Sequence, residues 1–357
     1  MTLHYGLIKV HDYDENLYIH VQYTSVVSGI LDMKDRMLTY FAKRIIQVPL
    51  IVFIVVTMGF IILKLAPGDP VAHFAGEGAS PEYLEMIRRA YGLDKPILEQ
   101  YMTYITGIFT GNWGYSPSFE RPVLTVIMER LPLTLILSLA AFILALPLGV
   151  LLGMTAALKR GSLIDSFIRS FATFFNAIPA FIIGLLLLFT FSVNMRLLPI
   201  GGFQTIGVTY TSILDRVIDI LQHIILPATS LMLIWMVDYT RVTRNRFIEA
   251  LLSDYTRAAV SRGIKWRRIL FKHVLRNSIL PVVTLAGVQV GYMLGGVILT
   301  ETVFSWPGIG MLIVQAVSYR DYPLLMGVFF ISSLWVSITN IVIDIIYMIL
   351  DPRVRLQ

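Results

Sequence analysis

Residues 133–158 read LTLILSLAAFILALPLGVLLGMTAAL, with no charge and only Thr134, Ser138 and Thr155 as polar side chains. A helix needs about 20 mostly apolar residues to cross a hydrocarbon core about 30 Å thick. This stretch exceeds that length. It is apolar on every face rather than along one stripe, the pattern of a helix solvated by lipid. Ala141, Ala145, Gly149, Gly153 and Ala157 recur every fourth residue and so share one face. Small residues at that spacing let a neighbouring backbone come close where lipid supplies no hydrophobic drive between helices. Gly287, Gly291 and Gly295 repeat the pattern. A tightly packed bundle is expected, within the chain or with a partner subunit.

Working outward, five more stretches qualify: 45–65, 167–193, 224–237, 280–299 and 324–350. The fourth span in chain order, 224–237, is short and extends on both sides, past His223 and Asp238. Pro147 and Pro179 lie inside spans, where kinks are expected rather than breaks. Composition agrees. Of 357 residues 56% are hydrophobic and 15% charged, with a mean hydropathy of +0.72. A soluble domain carries roughly 25% charged residues, so an ordinary soluble enzyme is excluded. At 12% aromatic residues, so is a disordered chain. With no cysteine there is no disulfide, thiolate metal site or Cys nucleophile.

Six spans put both termini on one side. Residues 1–36 carry five acids and no continuous apolar core, so they are not a signal peptide, and the first span reads as a retained anchor. With the N-terminus inside, the inner segments hold 20 of the 29 basic residues and 11 of the 23 acidic ones. The inner face then nets +9 and the outer −3, the positive-inside pattern, and both termini are expected to be cytoplasmic.

Two segments between spans are long enough for structure of their own. The outer one, 66–132, has a helix start at Ser80-Pro81-Glu82 and a stop at Gly92. A second start at Asp94-Lys95-Pro96 leads a face of Ile97, Tyr101, Tyr104, Ile105 and Ile108. The inner segment, 241–278, carries a stripe of Phe247, Ile248, Leu251, Leu252 and Tyr255 that ends at Gly263. A second stripe, Trp266, Ile269, Leu270, His273 and Val274, has Lys265, Arg267, Arg268, Lys272 and Arg276 on its other faces. The pattern predicts helix, turn, helix. An interfacial amphipathic pair on anionic lipid would satisfy it. Asp254, Tyr255, Ala258, Ala259 and Gly263 are not needed for lipid binding, which leaves room for a docking surface.

The inner segment resembles the "EAA" coupling loop of ABC importer permeases, in its oligopeptide/dipeptide form. The resemblance rests on Asp254-Tyr255-Thr256-Arg257-Ala258-Ala259 and Arg262-Gly263, with Arg257 where the general pattern has Glu. His273-Val274-Leu275-Arg276-Asn277 and Leu280-Pro281-Val282 follow. It extends in order through Pro67-Gly68-Asp69-Pro70, Tyr91-Gly92-Leu93-Asp94-Lys95-Pro96 and Gly111-Asn112-Trp113-Gly114-Tyr115-Ser116. Next come Arg130-Leu131-Pro132-Leu133-Thr134-Leu135 and Leu198-Pro199-Ile200-Gly201-Gly202. Glu301-Thr302-Val303-Phe304-Ser305-Trp306-Pro307-Gly308-Ile309-Gly310, Arg320-Asp321-Tyr322-Pro323 and Asp351-Pro352-Arg353 complete it. The resemblance starts near Met37, so residues 1–36 read as an extension or a misplaced start, and a chain beginning at Met37 is expected to insert and transport.

The resemblance implies an all-α polytopic membrane protein with six transmembrane helices. A long outer segment would follow helix 1, and a coupling helix would lie between helices 4 and 5. The expected divisions are an extension at 1–36, the first helix plus outer segment at 37–131, a core transmembrane domain at 132–350 and a tail at 351–357. It implies a permease subunit in the cell membrane forming half of a path for peptides or oligosaccharides. Its partners would be a second homologous permease, two ATP-binding subunits and an extracellular substrate-binding protein. Asp254, Tyr255, Arg257, Ala258, Ala259, Arg262 and Gly263 would seat on the ATPase. Ala258 and Ala259 would allow close approach, and Gly263 the turn. The outer segments with Asn112, Trp113, Gly114, Trp306, Pro307 and Gly308 would face the receptor. Gln289, on the helix side away from Gly287 and Gly291, is a candidate for the path lining or for a hydrogen bond between helices.

The chain has no Gly-Lys-Ser or Gly-Lys-Thr, so no phosphate-cradling loop of its own. No cofactor is expected in this chain, and ATP and Mg would belong to the partners. Two other classes fit the sequence less well. A membrane enzyme lacks ligands, since the six histidines form no HExxH, no metal site is expected, and Asp238 and Asp344 sit near span ends. A secondary transporter or channel should show mid-membrane charges, where Gln289 and Asn340 are the main polar groups. Nucleic acid is not an expected partner, because two spans bracket the basic segment.

Overall fold

The computed structural model describes residues 44–67, 71, 79–295 and 297–350. The extension at 1–36, the Gly68-Asp69-Pro70 part of the first motif and the tail at 351–357 lie outside the described residues. Four helices are long and apolar enough to cross a membrane: α1 (Arg44–Leu65), α4 (Val123–Leu158), α7 (Ile213–Leu252) and α13 (Tyr322–Leu350). Two bent pairs complete six candidate spans. They are α5 (Leu163–Asn176) with α6 (Ala180–Asn194), and α9 (Trp266–Ser278) with α10 (Leu280–Leu294).

The outer segment forms α2 (Pro81–Ala90) and α3 (Ile97–Thr110), then a short antiparallel hairpin of β1 (Tyr115–Ser116) and β2 (Arg121–Pro122). Ser80 caps α2 by accepting from the Tyr83 N–H, as its position before Pro81 suggests. Tyr101, Tyr104, Ile105 and Ile108 of the predicted α3 face pack on α1 and α13, with the Tyr104 hydroxyl donating to the Met326 carbonyl at 2.9 Å. Ile97 is the exception and is exposed.

The small-residue seam of α4 packs within the chain. A Cβ added at Gly149 would stand 2.5 Å from the Tyr239 Cβ and 2.7 Å from the Met236 carbonyl of α7. One added at Gly153 would stand 2.6 Å from the Thr243 Cβ. Ala141, Ala145, Leu231, Trp235, Met236 and Tyr239 join the core that these two helices share. In α10, Gly287 meets Ile343 and Gly291 faces Thr339, both of α13. Next to Ile343 on α13, Asp344 pairs with Arg44 of α1 at 2.8 Å.

Three expectations are corrected. Pro179 breaks the third span rather than kinking it, and α5 and α6 meet at 96°. The proline lacks an N–H and turns the preceding residue away from helix, so the chain changes direction over 177–179. The fifth span stops at Leu294, after a 3₁₀ turn over Tyr292–Leu294, and does not run to residue 299. A separate short helix α11 (Ile298–Val303) follows, then α12 (Ile309–Ser318). The expected 131/132 boundary falls inside α4, which begins at Val123 and carries Pro132 within it. Pro147 does sit inside that continuous helix. At 40 residues α7 is about 60 Å long, so it reaches well past the 224–237 core at both ends.

Candidate functional site

The helix–turn–helix between α7 and α10 is built on the end of the bundle. At Ser253 the backbone turns extended (φ −71°, ψ 156°), which ends α7 and starts α8 (Asp254–Ser261). The predicted stripe from Phe247 to Tyr255 is therefore split between two helices. Helical periodicity survives a one-residue break, so the pattern gave no sign of it. Two hydroxyls fix the break, Ser253 Oγ and Thr256 Oγ1, donating to the Ala250 carbonyl at 2.6 and 2.7 Å. The turn after α8 is a Schellman motif, with the Gly263 N–H on the Val260 carbonyl (2.9 Å) and the Ile264 N–H on that of Ala259 (3.3 Å). Gly263 has φ +70°, a left-handed conformation that a residue without Cβ adopts freely.

The inner face of α8 rests on the chain's own core. Ala259 packs with Met154 and Ala157 of α4, Phe247 and Ala250 of α7, and Ile269, Leu270 and Val274 of α9. Thr256 is buried beside it. Ala259 is thus taken up internally, a correction to the expectation that it serves close approach by a partner. The outer face presents Asp254, Tyr255, Arg257, Ala258, Ser261 and Arg262. Asp254 and Arg257 pair weakly at 3.4 Å, with side chains 99% and 73% exposed. Ala258 lies at the centre, one turn from Asp254 and Tyr255 on one side and Ser261 and Arg262 on the other. The smallest side chain of this face is thus exposed among polar ones. Leu252, Val260, Trp266 and Phe271 are large apolar side chains left exposed around it, the mark of a surface that meets a partner or lipid. Cations Lys265, Arg267, Arg268, Lys272 and Arg276 have the positions that either use would need.

At the opposite end of the bundle the sequence expectation and the structure differ. Trp306 is fully buried and donates its indole N–H to the Leu133 carbonyl at 3.0 Å. It is a core residue and gives a receptor no surface, a correction to its assignment. Pro307 accepts at its carbonyl from Arg130 at 3.4 Å. Gly308 is held against Glu301 and Thr134 with no room for a side chain. Trp113 is half-buried, edge-on to Phe330 at 5.0 Å, and Asn112 is exposed. Gly114 has φ +84° and its carbonyl accepts the Val123 N–H at 3.1 Å. Ser305 and Thr302 are the exposed positions near Trp306. Gln289 is half-buried on α10, whose Gly287 and Gly291 turn toward α13.

Sequence reasoning assigned no role to Glu301, which organises this end. Wholly buried, it accepts from Thr134 Oγ1 at 2.6 Å and from the Met311 N–H at 3.0 Å. The Thr134 hydroxyl oxygen in turn accepts the Ile309 N–H at 2.7 Å. One carboxylate thereby ties α4, α11 and the start of α12. The signal was present as an acid just past a span, followed by Gly308 and Gly310. The hairpin is anchored alike, with the buried Asp321 accepting from Ser116 Oγ and from the Ser118 N–H at 3.2 Å. Among the described residues no group of three or more metal-ligating side chains converges.

A fold of bent and continuous spans with an exposed eight-residue helix between two of them is matched in known proteins. Residues 149–356 match the model of the binding-protein-dependent transport system inner membrane component, and residues 37–140 match its N-terminal companion. The chain belongs to that family. It is 37% identical to a probable peptide ABC transporter permease of Sinorhizobium fredii, over 88% of this chain and 99% of that one. It is 36% identical to a di/tripeptide transport system permease of Pseudomonas aeruginosa, over 90% and 100%. For an oligopeptide transport system permease of Bacillus subtilis the values are 38%, 89% and 100%. A chain of the inward-facing MetNI methionine ABC transporter superposes with a TM-score of 0.50 at 15% identity. That match covers 64% of this chain and 97% of that one, a likeness of fold. The chain is a multi-pass permease of an ABC importer, and the ion-driven alternative falls away.

Proposed function

We propose that this permease forms half of the translocation path of an ATP-driven peptide importer, and that α8 is its coupling helix. The observation that carries the coupling assignment is the outer face of α8, with small Ala258 exposed among polar side chains on a helix seated against the chain's own core. A rigid helix of this kind transmits force. An ATPase that contacts this face differently in its open and closed states shifts the spans by that difference in binding free energy. Asp254, Tyr255, Arg257 and Arg262 anchor the edges, and Gly263 sets the angle between α8 and α9. The partners are two ATP-binding subunits on this side, a second homologous permease beside the bundle, and a substrate-binding protein at the outer segments. ATP and Mg are held by the ATP-binding subunits, so this chain is non-catalytic. Peptide as the substrate class is supported by the names of the relatives, which cover nearly all of their own length and of this chain. The charge asymmetry supports a cell-membrane orientation with the α7–α10 segment cytoplasmic.

Ala258→Trp tests the assignment. The position is exposed, so the chain should insert and fold as before. Overpacking at a close interface costs on the order of 1–3 kcal/mol, roughly a thirtyfold weakening of ATPase association at the middle of that range. Substrate-stimulated ATP hydrolysis in the assembled complex should fall with it. If stimulated hydrolysis and copurification of the ATP-binding subunits both stay at wild-type levels, α8 does not dock there.

A further inference from the structure

Where α5 crosses α7, a cavity of about 220 Å³ opens between the helices, lined by Arg169 and Thr173 of α5 and by Thr240, Arg241, Arg244 and Asn245 of α7. Outside that lining, Asp165, whose side chain is 2% exposed, fixes two of the arginines. Asp165 takes a bidentate pair from Arg244, Nε to Oδ1 at 2.8 Å and Nη2 to Oδ2 at 3.0 Å, and the Gly161 N–H adds a bond at 3.0 Å. Arg169 Nε approaches the same carboxylate at 3.5 Å. The carboxylate thus holds two guanidinium groups at the cavity and leaves both Nη atoms of Arg169 and Nη1 of Arg244 without a bond to it. Arg241 adds a third cation and makes no salt bridge among the described residues. Three arginines face Asp165 and, one turn before Arg241, Asp238, so the cavity is net positive. Thr173 and Thr240 spend their hydroxyl protons on the Arg169 and Met236 carbonyls, and the donors left are the guanidinium groups and the Asn245 amide. Convergent guanidinium groups are the preferred partners of phosphate oxygens.

The surroundings say which phosphate. Leu163, Phe167 and Phe174 form the opposite, solvent-exposed face of α5, an apolar strip that lipid would cover. Helix α5 lies nearly perpendicular to α6; with α6 as the crossing part of that bent span, the strip would run along the bilayer boundary and the cavity would sit at headgroup depth. The turn before α5 adds Lys159 and Arg160. The volume is below the roughly 300–1,000 Å³ of sites that enclose a whole small molecule, and suits a phosphate group whose remainder lies outside. We infer that the Arg169–Arg241–Arg244 cavity binds the phosphate of an anionic phospholipid, clamping the α5–α6 corner to the headgroups of that leaflet. Nothing in this depends on the transported substrate or on α8.

The full chain, purified in detergent and offered equal phosphatidylglycerol and phosphatidylcholine, should retain the anionic lipid preferentially by native mass spectrometry. Arg169→Ala with Arg241→Ala, which spares the Asp165–Arg244 pair, should cut that preference by about tenfold, the effect of losing charge-assisted bonds. Arg89→Ala with Arg216→Ala, on exposed positions of α2 and α7, should leave it unchanged. Equal retention by the Arg169/Arg241 double variant would overturn the inference. So would stabilisation of the lipid-free chain by inorganic phosphate alone, abolished in that variant, because the site would then serve a free anion. If the Arg169/Arg241 variant misfolds, Arg241→Lys serves instead. It keeps the charge but loses the planar fork, and should reduce the preference measurably; an undiminished preference would again overturn the inference.

Discussion

Glu301 shows how one side chain can decide the shape of a loop. Burial disfavours its charged form and pushes the carboxyl up to about 7, against the opposing pull of the Thr134, Met311 and Gly310 donors. A carboxyl raised on folding contributes stability that is complete at acid pH and is lost as pH rises from the ordinary carboxylate range through about 7. The purified chain should therefore lose thermal stability over that window and level off above it. Glu301→Gln, which cannot ionise, should remove this slope. The measurement is Tm across the window for both chains, and an unchanged slope in the variant would assign it to other groups. Gly263 makes the complementary case. Gly263→Pro forbids φ +70° and removes the N–H that binds the Val260 carbonyl. A local cost of about 1–3 kcal/mol is expected, felt at the α8–α9 angle and not in the spans. Membrane insertion should be normal and substrate-stimulated ATP hydrolysis lost. Full coupling with proline there would show that the turn angle does not matter.

At the scale of elements, spans were legible in sequence because lipid solvation leaves an unambiguous signature, a long run without charge. The α4 seam was legible for the same reason, since Gly149 and Gly153 have no function on a lipid face and show one on the α7 backbone. Breaks were less legible. Pro179 turns the chain by 96° while Pro147 and Pro227 are absorbed within helices, and the difference lies in tertiary contacts that no local pattern encodes. Ser253 is a sharper instance, because its break depends on two hydroxyls reaching one carbonyl. A helix between the fourth and fifth spans was legible, but its two faces were not. Ala258 and Ala259 are identical in sequence terms, and only the packing of Ala259 on Phe247 and Ile269 separates them. Trp306 was misjudged for the reverse reason: a large aromatic in an outer loop reads as a contact surface until its indole is seen bonded to Leu133.

For the whole molecule, the 20-to-9 division of basic residues across six candidate spans supports the proposed orientation, with the α7–α10 segment cytoplasmic. The cysteine-free sequence makes this testable without background. A cysteine at the exposed Ser212 should react with an impermeant thiol reagent on sealed cells, and one at the equally exposed Ser261 should not. Labelling at 261 would reverse the topology, and α8 would then face away from any cytoplasmic ATPase. The central claim is that α8 presents Ala258 outward to such an ATPase. Cross-linking from single cysteines in the assembled complex reads that contact directly. Ala258→Cys should cross-link to an ATP-binding subunit with a short bifunctional reagent, and its yield should change between nucleotide-free and ATP-bound states. Ala259→Cys, one residue along but buried under α8, should give none. A cross-link at 259 and none at 258, or none at either in a complex that hydrolyses ATP normally, would contradict the account.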